Sequence, residues 1–398
     1  MIVAKMKNVQ KCPWYLILFM VFVVFCTDVK ISIIKISEIG LLLYFVLFLR
    51  KFDKPIRKFL NFFIVFAGIT FFHNLFLIFD YSVVDSFLKQ PYICTIGRFL
   101  EVLSCLVFMQ YVTNILRKYG VGNVLSRFYV CSCFLSLCIL VLYFLFVVGI
   151  QVPYLNIADE GTLRLTGFYV EGGPFGLMCS SLALLGIHIR RPKIEILLFC
   201  ILTFLAQSKA GLVCLLGYFC VKIVTRYYRY KIFRVGLWLI VPIIIFVFIK
   251  LFSNIAEQYI SSILDTNYLD SWVNANPEDY SSTAGRIPAT YIIPKMFIDN
   301  PFFGIGIGNY PILRNLPEYR SFFPKIDIYD ASGYGGFVDI LNQCGLVGLV
   351  LFLSLIFKLY KMGKDYTYVL LFCLPLLFGV QYTFAYPWLM LSFVLISK

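Results

Sequence analysis

Apolar residues along this chain come in long unbroken runs separated by short polar turns. A bilayer crossing needs ~20 such residues as a helix, because lipid offers backbone groups no other partner. Runs near 13–29, 31–49, 59–79, 92–116, 128–150, 172–189, 194–207, 210–225, 235–252, 335–357, 367–382 and 384–397 predict about twelve transmembrane helices. The seventh, eighth, eleventh and twelfth are short for a full crossing. One long polar segment interrupts the pattern, from Ser253 to Tyr334. The expected fold is therefore all-α and polytopic, with one large, partly helical extracytoplasmic loop. It divides into a membrane bundle of about nine helices over 1–252, the loop over 253–334, and about three helices over 335–398, forming one integrated domain. Within the loop, Ile287, Tyr291, Ile292 and Met296 recur at helical spacing and predict a helix over Gly285–Ile298.

Composition agrees: 61% of residues are hydrophobic and 14% charged, where soluble domains carry ~25% charged residues. The first run has no small-residue cleavage site and other runs follow at once, so it reads as a span and not as a cleaved leader. The net charge of +14 sits mostly in short turns beside the runs. Lys5, Lys7 and Lys11 precede the first; Arg50, Lys51, Lys54, Arg57 and Lys58 follow the second. Arg117, Lys118 and Arg127, then Arg190, Arg191 and Lys193, then Arg226, Arg229, Lys231 and Arg234, then Lys358, Lys361 and Lys364 fall on the same side of alternating spans. Basic turns mark the cytoplasmic side, so both termini are expected there and the 253–334 loop, where acidic residues outnumber basic ones, outside. Charge placed in juxtamembrane turns is no footprint for nucleic acid.

Most of the thirteen cysteines lie inside apolar runs, where they act as small apolar side chains. With no CxxC pair and only His73 and His188, a zinc set is not expected. No internal repeat is visible, and the loop has no counterpart in the first half. Both features argue against a transporter of the inverted-repeat kind.

Five groups of polar residues stand out. Arg164–Gly176 (RLTGFYVEGGPFG) leads into the sixth run with glycines and Pro174 where a helix starts. Arg164 either anchors at headgroups or, beside the free N–H groups of that helix, binds phosphate. Glu171 either caps the helix or acts on a substrate hydroxyl. Ser208 and Lys209 separate two short runs, where a lysine is either used or snorkels. Arg286 closes SSTAGR and is followed by NPFFGIGIG, whose alternating glycines mark a tight approach to backbone or ligand. No strand–helix context makes that run a nucleotide loop. In Asp330–Gly348, Asp339, Asn342 and Gln343 share a helix face, suited to interhelical hydrogen bonds or to chemistry. Arg98 and Glu101, three apart, form an expected internal pair. His73, Asp80 and His188 show no pattern and read as boundary residues.

Taken in order, these segments resemble the O-antigen polymerase and ligase superfamily of bacterial membrane glycosyltransferases. RLTGFYVEGGPFG is similar to that family's Arg-x-x-Gly…Glu/Asp-Pro segment. QSKAG stands where the family often has Ser-Arg-x-Gly. AGR with NPFFGIGIGNY is similar to its Asn-Pro…Gly-x-Gly stretch, and GYGGFVDILNQCGLVG to its His-Asn-x-Tyr-Leu…Gly-Leu-x-Gly exit. The resemblance covers about residues 160–355. It departs at Tyr334 and Gly335, which occupy the place of a His-Asn pair in ligases, and at Lys209, where arginine is usual.

The resemblance implies a polymerase of undecaprenyl-diphosphate-linked oligosaccharide units for O-antigen (lipopolysaccharide), capsule or exopolysaccharide. It would act at the outer face of the bacterial cytoplasmic membrane, with membrane lipids and a chain-length regulator as further partners and no cofactor or metal. Arg164, Lys209 and Arg286 would stabilise the leaving diphosphate. Glu171, or else Asp330, would take the acceptor's proton, and Ser208, Gly167 and Tyr334 would line the substrate site. A ligase on the same scaffold and a flippase are the alternatives.

Overall fold

The computed structural model describes residues 11–31, 34–77, 79, 90–150, 157–159, 163–227, 230, 285–326, 333–363 and 365–396. The described residues are overwhelmingly helical: α1 Trp14–Phe25, α2 Ile36–Phe48, α3 Lys54–His73, α4 Pro91–Tyr119, α5 Val121–Val147, α6 Gly172–His188, α7 Lys193–Leu205 and α8 Lys209–Tyr227. After the segment outside the described residues come α9 Arg286–Asp299, α10 Tyr310–Leu313, α11 Pro317–Arg320, α12 Gly336–Met362, α13 Tyr366–Leu377 and α14 Ala385–Val394. Two-residue strands form two small antiparallel hairpins, β1 Lys30–Ile31 with β2 Ile34–Lys35, and β3 Ala158–Asp159 with β4 Arg164–Leu165.

Helices stand at each expected apolar run except the ninth, 235–252, which lies outside the described residues. Four of them, α3, α4, α5 and α12, are long and apolar enough to cross a membrane. Exposed Val46, Leu47, Phe48, Phe134 and Phe204 give the bundle an apolar outer face, as an integral membrane protein requires. The helix predicted over Gly285–Ile298 is present as α9.

The bundle closes on aromatic packing. The Phe352 ring meets Phe59, Phe62, Phe63, Phe337, Phe372 and Trp388, and the Trp388 indole N–H donates to Tyr382 O at 2.8 Å. Small residues bring α6 against α8: a Cβ on Gly211 would lie 2.8 Å from Gly176 O.

Side-chain bonds connect the basic turns into one end of the bundle. Arg117 pairs with Asp53 at 2.7 Å. Arg127 donates to Cys12 O at 2.6 Å, and Arg191 to Ser126 Oγ at 2.9 Å. His188, expected to be a boundary residue without a pattern, lies 2.7 Å from Asp365, and Lys222 Nζ donates to Thr367 at 3.0 Å. The opposite end carries the β-hairpins, the α7–α8 turn and the Asn300–Asn309 loop.

That loop is built into the bundle. Helix α12 is broken at Gly345 (φ 67°, ψ −173°), which frees carbonyl and N–H groups on both sides of the break. Ile305 N–H and Gly306 N–H donate to Asn342 O and Gln343 O, while Leu346 N–H and Val347 N–H donate to Pro301 O and Phe302 O. The loop thus pairs the four backbone groups that the break frees. Gly304 and Gly345 sit where the backbones touch, and a Cβ on Gly304 would lie 2.5 Å from Asn342 O. The approach expected of the alternating glycines is to backbone.

Candidate functional site

Arg164 opens β4 of the second hairpin, paired in register with Asp159. Its Nε–H donates to Ala206 O at 2.8 Å, the carbonyl that ends α7. The guanidinium lies over the first turn of α6: a Cβ on Gly172 would come within 2.7 Å of Arg164 Nε, and one on Gly173 within 3.5 Å of its terminal nitrogen. At position 172 only glycine leaves that room. A cation there complements the negative end of α7, and it reinforces the positive end of α6 toward an anion.

Ser208 comes from the α7–α8 turn into the same place. Its buried hydroxyl donates to Gly173 O at 2.9 Å and accepts Gly211 N–H at 3.1 Å, capping α8. Lys209 follows as the first residue of α8 and is exposed, as is Glu171 at the N-cap of α6, which makes no side-chain capping bond. Gly167 holds φ 61° and packs on Phe175, where a Cβ would lie 2.5 Å from the ring. It shapes the turn through its backbone. Arg164, Glu171, Ser208 and Lys209 thus share one end of the bundle around the starts of α6 and α8.

Arg286 opens α9, with Gly285 as its N-cap. One turn on, Thr290 Oγ1 shares a hydrogen bond with Tyr334 Oη, so the loop exit rests on the start of the helix that Arg286 begins. Asp330 lies outside the described residues. Asp339, Asn342 and Gln343 bond within the protein. Asp339 accepts Gly335 N–H at 3.0 Å. Asn342 Nδ2 reaches Met296 Sδ at 3.9 Å, and Gln343 Oε1 accepts from Tyr382 Oη at 2.8 Å and Gly308 N–H at 3.3 Å.

A larger charged group was not foreseen. Arg98 and Glu101 pair at 2.7 Å, as expected, but buried Lys35 joins them, 3.4 Å from Glu101 and 3.7 Å from Glu38. Asp28 faces Lys35. Arg98, Asp339, Gln343, Gln381, Tyr382 and Thr383 line a cavity of about 10 Å³, about the room of one water. One signal was available: Lys35 and Glu38 open the second apolar run at the same spacing of three as Arg98 and Glu101. Among the described residues, no group of His, Cys, Asp and Glu could hold a metal ion.

A helical bundle with an apolar skin and basic groups gathered at glycine-lined helix starts defines an integral membrane protein with a polar site at one surface. A family model described as O-Antigen ligase matches residues 195–353. The match supports the resemblance of this stretch to the O-antigen ligase and polymerase superfamily, and with it a ligase- or polymerase-type, glycosyltransferase-like function. The match takes in the α7–α8 turn, α9, the glycine loop and the broken helix; Arg164 and Glu171 precede it. The comparison with curated proteins gives no match.

Proposed function

We propose that the chain polymerises oligosaccharide units carried on undecaprenyl diphosphate at the outer face of the cytoplasmic membrane. In this reading both termini are cytoplasmic, about twelve helices cross the membrane, and 253–334 lies outside. A hydroxyl of the incoming unit attacks the anomeric carbon of the growing chain. The new C–O bond forms as the bond to the lipid diphosphate breaks, the electron pair leaves with the diphosphate, and the hydroxyl proton passes to a carboxylate. Arg164, Lys209 and Arg286 stabilise the departing diphosphate. Glu171 is the first candidate acceptor of the proton and Asp330 the second. The loop shields and orients the glycan. The donor is already activated, so the step asks for no nucleotide sugar and no metal. A chain-length regulator is a fitting partner.

The observation that carries the polymerase reading is Tyr334–Gly335 standing where ligases of the resembling family carry His-Asn. The ligase reading is favoured by the description of the matching family model. Deletion of the gene followed by gel analysis of the surface glycan separates them. Loss of a polymerase leaves single units on the final acceptor; loss of a ligase leaves polymer on the carrier lipid. A long-chain ladder that survives deletion would overturn both.

A further inference from the structure

The buried charges at the polar-loop end form one string, and its two ends bond the two segments, at Val170 and Gly335, that the proposed function sets as walls of the substrate site. Asp28 accepts the N–H of Val170, next to Glu171, and faces Lys35. Lys35 Nζ lies 3.7 Å from Glu38 and 3.4 Å from Glu101. Glu101 lies 2.7 Å from Arg98, and Arg98 shares its small cavity with Asp339. Asp339 in turn accepts the N–H of Gly335, next to Tyr334. Signs alternate along the path, from Asp28 to Lys35, Glu101, Arg98 and Asp339.

Such a string is costly to bury, and apolar residues of similar volume often stabilise as well or better. The Phe352 and Trp388 cluster closes the same bundle without charge. What the string adds is register. Sliding the Val170–Glu171 segment against the Tyr334–Gly335 turn would draw opposite charges apart in a low-dielectric interior, where the attraction falls steeply in absolute terms with distance. Val170 and Gly335 are far apart in the chain, and the string joins them through three other elements: the β1–β2 hairpin, α2 and α4.

We propose that Lys35, Glu101 and Arg98 are positioning residues that fix the spacing between the Glu171 wall and the Tyr334 wall of the site. What the walls do rests on the polymerase reading; their spacing does not.

The test uses the full chain in lipid nanodiscs, with two readouts. The first is backbone hydrogen exchange at the segments holding Val170 and Gly335. The second is chain extension of the lipid-diphosphate-linked unit isolated from a strain deleted for this gene. Lys35→Met is expected to speed exchange at both segments while the basic end is unchanged. It should lower kcat by ~10²-fold, the cost of a misplacement on the order of 1 Å, with KM within about threefold. Lys35→Arg, which keeps a cation among Asp28, Glu38 and Glu101, should recover at least about tenfold over Lys35→Met.

Faster exchange confined to the Lys35 neighbourhood, with wild-type kcat, would overturn the proposal. So would a raised KM at unchanged kcat, which would make the string a substrate contact. If Lys35→Met does not accumulate, Asp339→Asn decides: its amide oxygen still accepts Gly335 N–H but no longer attracts Arg98, so kcat should fall, and a wild-type kcat refutes the role. If the wild-type chain extends no lipid-linked unit, the polymerase reading fails, while the exchange result still judges the positioning.

Discussion

Arg164 Nε–H donates to Ala206 O at 2.8 Å, which ties the segment before α6 to the end of α7 and sets the guanidinium beside the Ser208–Lys209 turn. A lysine could supply the charge at this place but not the directed Nε–H bond or the planar fork. Arg164→Ala is expected to lower polymer formation by ~10²–10³-fold, by analogy with the loss of an oxyanion donor, with protein levels in the membrane unchanged. Arg164→Lys should recover only a small part of that loss. Glycan ladders on gels, with immunoblots of the membrane fraction, measure both. Full-length polymer from the alanine variant would remove Arg164 from the chemistry.

Lys209 and Arg286 should respond in opposite senses to conservative exchange. Lys209 is exposed at the start of α8, so arginine there keeps the charge and adds donors; Lys209→Arg is expected to keep activity within about threefold. Under the proposed function Arg286→Lys would lose a bidentate fork at the diphosphate and should fall by at least about tenfold. The same ladder assay decides, and equal tolerance at both positions would place the diphosphate elsewhere.

The orientation predicts which turns a membrane-impermeant thiol reagent reaches. Asp53 and Arg117 bind one another at the end where the basic turns gather, and basic turns stay in the cytoplasm. A cysteine placed at Ser282 should label from outside in intact cells, whereas one in the 50–58 turn should label only after permeabilisation. The reverse pattern would invert the bundle.

Hydrophobic runs made the helices legible because each run is a local property of the chain, and α9 was legible from four apolar residues at helical spacing. The charged string was not, because Lys35 meets Glu101 only after α2 and α4 pack together, and Asp28 meets Val170 across most of the first half of the chain. The glycine stretch was half legible. Gly304 and Gly306 announced a close approach, but their partners, Asn342 and Gln343, lie beyond α11 and looked like a polar helix face. Arg164 was found beside a glycine- and proline-marked helix start, and Lys209 as a lone lysine between two short apolar runs. That Ala206 O and Gly172 hold the guanidinium between two helix ends was visible only in three dimensions.

Gly345 offers a stability test of the loop's anchorage. It holds φ 67° at the break in α12, and a Cβ there would overlap the carbonyl of Phe302. Strained backbone costs ~1–3 kcal/mol and overpacking another ~1–3 kcal/mol. Gly345→Ala should therefore lower stability by about 3 kcal/mol or more, displace the Pro301–Gly306 loop, and abolish polymer. Thermal unfolding in detergent gives the first quantity. An unchanged Tm would show that the break can shift to accommodate a side chain.

The basic end carries a pH dependence of known sign. Burial alone would raise the Asp365 carboxyl, but its bonds to His188 and to Thr367 outweigh that and hold it well below its ordinary value of 3.8. A carboxyl held low in the folded state contributes stability that is fully present above its unfolded pKa and is lost as pH falls toward its folded one. The contribution from Asp365 should thus be flat from neutral pH down to about pH 5, then decline steadily below about pH 4. Asp365→Asn removes the carboxyl, so its Tm should start lower at pH 7 and fall less between about pH 5 and pH 3 than that of the wild type. Parallel curves for the two proteins across that interval would show that the His188–Asp365 contact contributes nothing to holding α6 against α13.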